Sequence, residues 1–219
     1  MKMKIKGQQK DKAQRIKFLV LGESTIGKSC LIERYINNTF KENYIATIGM
    51  DIRQKRLDIN NIDVFLTIND TAGQERFRSL TKMVYKNTDG ILVGFDLTNP
   101  KTLEQVEFWI NQIESNKTKD SSISLVLFGN KCDMKEEIQV KEEDIEKIKE
   151  KYNLRYYETS AKDGTNVQNI FEYLAKIVLK SRGFLENVNI DEINVEEKEL
   201  QKIETKKPNK KNVKKKCFK

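Results

Sequence analysis

The sequence predicts an α/β fold, with a six-stranded, mostly parallel sheet and helices on both of its faces. Three observations support this prediction. Short apolar runs, typical of buried strands, alternate along the chain with segments of helical periodicity. The first apolar run, 18–21, leads through a loop with two glycines into a helix-like segment, as in strand–loop–helix units. The length of 219 residues suffices for one such domain with terminal extensions.

The first half of the chain contains three predicted strands. The second and third alternate apolar and polar side chains and are separated by Asn60 and Asn61, which is typical of an antiparallel hairpin. The expected elements are strand 15–21, helix 30–37, hairpin strands 50–59 and 63–68, loop 70–73 and a weak helix over 75–85.

The second half contains three more apolar runs, each short enough for a buried strand. Asn99 and Pro100 are typical of a helix start, and apolar residues at helical spacing follow them to about residue 115. The expected elements are strands 90–95, 123–128 and 155–158, and helices 99–115, 140–151 and 167–179.

The chain has three predicted parts: a basic extension over 1–14, a domain over 15–182 and a tail over 183–219, where the strand and helix pattern ends. The net charge is +8, but residues 1–17 carry +6 and the Lys-rich end, 205–219, carries +8. The 187 residues between them therefore sum to −6. Because this stretch between the two basic ends is mildly acidic, we expect no binding to nucleic acid, and we expect the tail to be a flexible basic arm.

Composition excludes several classes of function. The chain has three Cys and no His, which argues against zinc sites, disulfide frameworks and His-based catalysis. We expect neither a transmembrane helix nor a secretory signal, because no window approaches 18 apolar residues and the N-terminus lacks an apolar core. Lys2 stands where N-myristoylation requires glycine, so we do not expect that modification. With none of these signals, the cytoplasm is the expected compartment.

The loop over 22–29 fits the pattern G-x-x-x-x-G-K-[ST], which predicts a phosphate-binding site. Its glycines let successive backbone N–H groups turn inward, and the following helix adds the positive end of its dipole. Lys28 supplies a cation for phosphates, and the Ser29 hydroxyl suits Mg²⁺. The expected phosphate-site residues are Gly22, Glu23, Ser24, Thr25, Ile26, Gly27, Lys28, Ser29 and Cys30.

Three further motifs follow predicted strands and extend this site. Asp70 and Gly73, in D-T-A-G, suit a magnesium-bound water and a terminal phosphate. In the motif N-K-C-D over 130–133, the final carboxylate can accept two N–H groups from guanine, a donor pair that adenine lacks. In E-T-S-A-K over 158–162, backbone N–H groups can meet the guanine O6. The expected base-site residues are Asn130, Lys131, Asp133, Ser160, Ala161 and Lys162.

With these motifs in this order, residues 16–179 resemble the Rab family of small GTPases, in the Ras superfamily, which have the P-loop NTPase fold. The sequences of segments 43–49, 70–77 and 95–99 also resemble those of Rab proteins. The resemblance implies a GTP/GDP-dependent switch of vesicle-mediated membrane traffic that hydrolyses GTP slowly and uses Mg²⁺.

The resemblance also implies roles for residues that the motifs alone do not assign. Phe40 would pack edge-on against guanine, and Tyr44 would belong to the nucleotide site. Thr47 would join Ser29 and Asp70 as a magnesium ligand in the GTP state, and Gln74 would orient the attacking water as the catalytic residue.

The expected partners are GTP and GDP, an exchange factor, an activating protein, effectors, and an anionic membrane surface that attracts the basic tail of an otherwise monomeric protein. Cys217 is a candidate for prenylation, although it lies one residue closer to the end than a C-a-a-X box requires. Together, lysines and a lipid would give reversible association with the cytoplasmic face of an endomembrane or the plasma membrane.

Two positions depart from the family, and three other functions stay open. Asn69 stands where Rab proteins usually have Trp, and Ile52 where they usually have Phe, so the effector set is in doubt. The alternatives are a guanine-nucleotide-gated binding module with little hydrolysis, a non-Rab signalling switch of the Ras superfamily, and an ATP-dependent kinase or ATPase.

Overall fold

The structure is a computed structural model that describes residues 13–41, 50–71, 84–85, 87–117 and 122–185. All structural statements below concern this part of the chain. The chain divides after Phe184 into two compact units, and every helix and strand described here lies in the first. The boundaries expected at residues 14 and 182 stay predictions.

Six strands form one sheet, as predicted. They are β1 (Gln14–Leu21), β2 (Met50–Ile59), β3 (Ile62–Thr71), β4 (Gly90–Asp96), β5 (Ser124–Asn130) and β6 (Arg155–Glu158). Their order across the sheet is β2-β3-β1-β4-β5-β6, and only the β2–β3 pair is antiparallel. The β2–β3 turn uses Asn60 and Asn61 at φ 52° and 62°, the left-handed conformation that a two-residue hairpin of this type requires.

Helices cover both faces of the sheet. They are α1 (Lys28–Asn37), α2 (Pro100–Glu104), α3 (Val106–Asn116), α4 (Glu142–Tyr152) and α5 (Val167–Ser181), with a short 3₁₀ turn at Lys135–Glu137. Alternation along β1 divides the core, since Leu19 clusters with Trp109 of α3 and Ile145 of α4. Phe18 points to the other face, where Gly90 leaves room between it and Leu174 of α5. There Tyr35 of α1 stacks on Phe171 of α5 at 4.1 Å between ring centroids.

Two predicted elements need correction. The single helix expected over 99–115 is two helices, because the chain turns at Gln105, whose N–H bonds back to the carbonyl of Leu103. Asn99 still caps the start, with its side chain accepting from the N–H of Lys101 at 3.2 Å. The loop expected over 70–73 begins later, because Asp70 and Thr71 continue β3 by pairing with β2. The helix expected over 75–85 falls mostly outside the described residues.

The parallel strands bring the motifs to one edge of the sheet. The glycine loop follows β1, Asp70 lies near the end of β3, Asn130 ends β5, and the loop over 159–162 follows β6. These strands are parallel neighbours or next neighbours, so their carboxyl ends meet at the same edge.

Candidate functional site

The glycine loop that follows β1 requires both of its glycines. Gly22 has a φ of +141°, and a Cβ there would lie 2.4 Å from the carbonyl oxygen of Gly94. Gly27 has a φ of +92°, and a Cβ there would lie 2.5 Å from Nδ2 of Asn130. Gly27 also precedes α1, whose N-terminus has no side-chain cap, so its first N–H groups suit an anion.

The buried ammonium of Lys28 donates hydrogen bonds to the start of the glycine loop. Its Nζ donates to the carbonyl oxygens of Gly22 at 2.9 Å and Glu23 at 2.8 Å, and the residue is only 5% exposed. Burial lowers the pKa of Lys28 to about 8, against the opposing charges of Asp70 and Glu23. A negatively charged phosphate in the loop would favour the protonated ammonium and so oppose the effect of burial on this pKa.

Ser29 and Asp70 are close together, as the sequence predicts for magnesium ligands. The Ser29 hydroxyl hydrogen-bonds to the Asp70 carboxylate, and Asp70 is 4% exposed. Burial raises the pKa of Asp70, while the Ser29 hydrogen bond and the Lys28 charge oppose the rise. Oδ1 of Asp70 is buried and has no hydrogen-bond partner among the described residues. A buried oxygen of this kind fits Mg²⁺, which takes few protein oxygens and completes its shell with water and phosphate.

No group of three or more acidic, Cys or His side chains that could hold a metal occurs within the described residues.

Asn130 joins the phosphate loop to the loop after β6. Its Nδ2 donates to the carbonyl oxygen of Ile26 at 2.7 Å. Its Oδ1 accepts from the N–H of Ala161 at 3.2 Å and from the hydroxyl of Thr159 at 3.3 Å. The side chain is 1% exposed. One buried amide thus fixes the spacing between the two halves of the site.

Asp133 and Ser160 form the expected base end. The Ser160 hydroxyl donates to Oδ1 of Asp133 at 2.6 Å and accepts from the N–H groups of Lys162 and Asp163, each at 3.1 Å. This arrangement fixes one carboxylate oxygen and leaves Asp133 half-exposed. A carboxylate held at one oxygen is suited to accept N–H groups from a purine edge.

Lys131 and Cys132 lie between the two ends of that motif. Lys131 has a φ of +69° and makes an ion pair with Asp96, which is 5% exposed. The N–H of Cys132 donates to the carbonyl oxygen of Thr159 at 3.1 Å, and burial raises the pKa of its thiol to about 11. Both residues are therefore tied to the strand ends that carry the site.

The described residues include only part of the predicted site. Phe40 is half-buried three residues after the end of α1. Tyr44, Thr47, Gly73, Gln74 and Cys217 lie outside the described residues. The departures at Ile52 and Asn69 face each other directly across the β2–β3 pair, with Ile52 54% exposed and Asn69 7% exposed.

One residue of the base end was missed by the sequence analysis. Arg34 of α1 donates to the carbonyl oxygen of Ala161 at 2.9 Å and to that of Lys162. No motif marks it, since its partners are main-chain atoms 127 and 128 positions away.

Comparison with known proteins gives consistent matches over the whole of this site. A family model described as "Ras family" matches residues 17–180. Ras-related protein Rab-13 of Bos taurus is 39% identical over 168 residues, covering 76% of this chain and 82% of the relative. Ras-related protein Rab-8B of Homo sapiens is 37% identical over 163 residues, covering 74% and 78%. Ras-related protein Rab-8 of Diplobatis ommata is 38% identical, covering 74% and 77%.

Proposed function

This chain belongs to the Rab family of small GTPases, in the Ras superfamily, and from that premise we propose which residues perform its function. It is a GTP-hydrolysing switch of membrane traffic. The proposal concerns its nucleotide-binding residues, its metal ligands, its catalytic glutamine and its mode of membrane association.

The single observation that carries the nucleotide assignment is the Asn130 bridge. A nucleotide has a phosphate end and a base end, and Asn130 bonds to the phosphate loop at Ile26 and to the base loop at Ala161. In our proposal the phosphates bind to residues 22–30, with Lys28 neutralising their charge. Guanine binds against Asp133 and residues 160–162, with Phe40 and Tyr44 completing the site.

Ser29 and Asp70, with Thr47 in the GTP state, would hold Mg²⁺. The unpaired, buried Oδ1 of Asp70 supports this assignment. When bound, the ion neutralises charge on the outer phosphates. Within the part of the chain that the structure describes, no donor meets this oxygen, and the ion would offset the cost of burying it.

Thr47 and Gly73 would distinguish GTP from GDP, because in our proposal they contact the terminal phosphate that only GTP has. Loss of that phosphate releases the loops that contain them. Gln74 would orient the attacking water, and an arginine from an activating protein typically adds roughly 10³–10⁵ in rate. Exchange factors and effectors would act on the same loops. We propose that the protein acts as a monomer.

Membrane association would come from the tail. No helix among the described residues is long and apolar enough to cross a bilayer. The eight Lys of residues 205–219 would be attracted to anionic lipids, and a prenyl group on Cys217 would supply the second anchor. Intact-mass measurement of the protein from native membranes tests this, and an unmodified Cys217 in the membrane fraction would refute the lipid.

Two experiments test the core of the proposal. Competition between GTP and ATP for the purified chain should favour GTP strongly, and equal competition would refute the guanine assignment. Single-turnover GTP hydrolysis by the wild type should be slow and should be accelerated by an activating protein. Gln74→Leu should bind GTP with unchanged affinity but show no acceleration by the activating protein. A Gln74→Leu protein that still responds fully would remove Gln74 from the mechanism. Undetectable hydrolysis in the wild type would favour a nucleotide-gated binding module.

A further inference from the structure

Arg34 links three main-chain positions at the base end of the site. Nε donates to the carbonyl oxygen of Ala161 at 2.9 Å, and one terminal nitrogen donates to that of Lys162. The other terminal nitrogen donates to the carbonyl oxygen of Asn38 at 3.0 Å and to its side-chain oxygen at 3.2 Å. All three guanidinium nitrogens therefore donate to acceptors, which lie in the base loop and at the end of α1.

We propose that Arg34 is a positioning residue for guanine binding, and that it couples the loop over 159–162 to the end of α1. This inference rests on the proposed function of that loop. It adds to that function a residue outside every nucleotide-binding motif and a physical link to the segment that begins after Asn38.

The loop is held at Ala161 from two sides. Asn130 accepts from the N–H of Ala161 at 3.2 Å, and Arg34 donates to its carbonyl oxygen at 2.9 Å. The two bonds fix the two peptide units that flank Ala161, so they set where the N–H groups of the loop point. Asn130 acts from the buried side, at 1% exposure, while Arg34 acts from the half-buried surface of α1.

The fork geometry of arginine is what this link requires. A planar guanidinium reaches two adjacent carbonyl oxygens and a third acceptor at once, while a lysine ammonium is a single point of charge. Lysine at position 34 would therefore keep the charge and lose most of the alignment.

The position of the bonds separates a positioning role from a purely structural one. The bond to Lys162 and the bonds to Asn38 are solvent-exposed, so water can replace the lost donors at small cost to folding. The loop would still lose its outer support. Removal of Arg34 should therefore affect nucleotide retention much more than hydrolysis, which takes place at the phosphate end.

The first test measures GDP dissociation from the full chain in Mg²⁺ buffer, for Arg34→Met and Arg34→Lys. Methionine keeps much of the apolar stem and removes every donor. We expect Arg34→Met to release GDP on the order of 10- to 100-fold faster, because two hydrogen bonds from a charged donor to the base loop are lost. Arg34→Lys should fall between it and the wild type. Single-turnover hydrolysis of bound GTP should change less than twofold.

The matched control is Arg56→Met. Arg56 is also bidentate, to the Asp63 carboxylate at 2.7 and 2.6 Å, but it lies on the exposed β2–β3 hairpin away from the base loop. GDP dissociation from this variant should match the wild type. An equal rise in both variants would show a general effect of arginine removal and would overturn the inference.

A second readout isolates the base. 6-Thioguanosine diphosphate keeps the N1–H and 2-amino donors of GDP and replaces only O6, by a sulfur that accepts hydrogen bonds more weakly. Its affinity relative to GDP therefore reports how well the loop N–H groups meet that oxygen. The penalty for replacing O6 should shrink in Arg34→Met, because the loop N–H groups are no longer held in place. A structural role alone would weaken both ligands equally. If Arg34→Met does not fold, both GDP dissociation and the relative affinity for the base analogue are measured on Arg34→Lys.

The outcomes distinguish this inference from the function on which it rests. If wild-type protein fails to retain GDP, the proposed function fails and the inference fails with it. If the wild type retains GDP and both Arg34 variants release it at the wild-type rate, the inference alone is overturned.

Discussion

The side-chain amide of Asn130 donates a hydrogen bond to the carbonyl oxygen of Ile26, 104 positions earlier in the chain, at 2.7 Å. Gly27, the next residue, has no side chain to block this approach, since a Cβ there would lie 2.5 Å from the same nitrogen. The glycine of one motif is therefore required by the asparagine of another. This relationship sets the distance between the phosphate loop and the base loop.

Replacement of Asn130 should weaken nucleotide binding at both ends of the site. Asn130→Ala leaves the buried carbonyl of Ile26 without its donor, at a cost of about 1–3 kcal/mol. We expect the rate of GDP dissociation to rise by the factor that corresponds to this free energy, measured by chase with excess unlabelled nucleotide. Asn116→Ala is the control, because its side-chain amide donates to the carbonyl oxygen of Gln112 within α3. Unchanged dissociation in Asn130→Ala would contradict the bridging role.

Asp133→Asn should change the base preference of the site from guanine towards xanthine. The amide oxygen can still accept from Ser160, now at 2.6 Å from Oδ1, but its NH₂ would face the N–H donors of guanine. GTP affinity should fall roughly 10²- to 10⁴-fold through loss of two charge-assisted hydrogen bonds. XTP, which offers an acceptor at that edge, should bind better than it does to the wild type. Asp144→Asn, on exposed α4, is the control, and retention of GTP preference would argue against Asp133 as the selector.

Gly22 and Gly183 offer a matched pair for backbone strain. Both have positive φ, +141° and +77°, but a Cβ at Gly183 would meet no described atom within 4 Å. Gly183→Ala should cost about 1–2 kcal/mol of unfolding free energy from conformation alone. Gly22→Ala should cost roughly 1–3 kcal/mol more, because its Cβ would collide with the backbone of Gly94. Denaturant unfolding of the nucleotide-free proteins measures both without a contribution from GDP binding, and equal losses would show that the collision is relieved.

Cys132 should be a slow nucleophile although it lies in a nucleotide-binding motif. Burial raises the pKa of its thiol to about 11, with help from the carboxylates of Asp163 and Glu158. At pH 8 its thiolate fraction should be about 10⁻³, against roughly 10⁻¹ for an ordinary cysteine. In a Cys30→Ala, Cys217→Ala background, alkylation of the folded chain should keep accelerating above pH 10. Alkylation in urea should level off near pH 9, and identical profiles would contradict the shift.

The sequence was sufficient for the elements whose signal is local. The strands around residues 18–21, 91–95 and 125–128 were predictable because continuous apolar runs of that length are buried in a parallel sheet. The hairpin was predictable because Asn60 and Asn61 tolerate the left-handed backbone that its turn needs. The break at Gln105 was not, because a cap bond to Leu103 interrupts a helix whose apolar spacing continues unbroken.

By itself, then, the sequence determined the sheet, the family and the motif residues at the strand ends, since each motif is contiguous and follows its own strand. The tertiary structure decided how those motifs support one another. It placed Asn130 between Ile26 and Ala161, and it brought Arg34 to carbonyl groups 127 and 128 positions away. Main-chain acceptors are the same at every residue, so no sequence pattern identifies which carbonyl a distant side chain will reach.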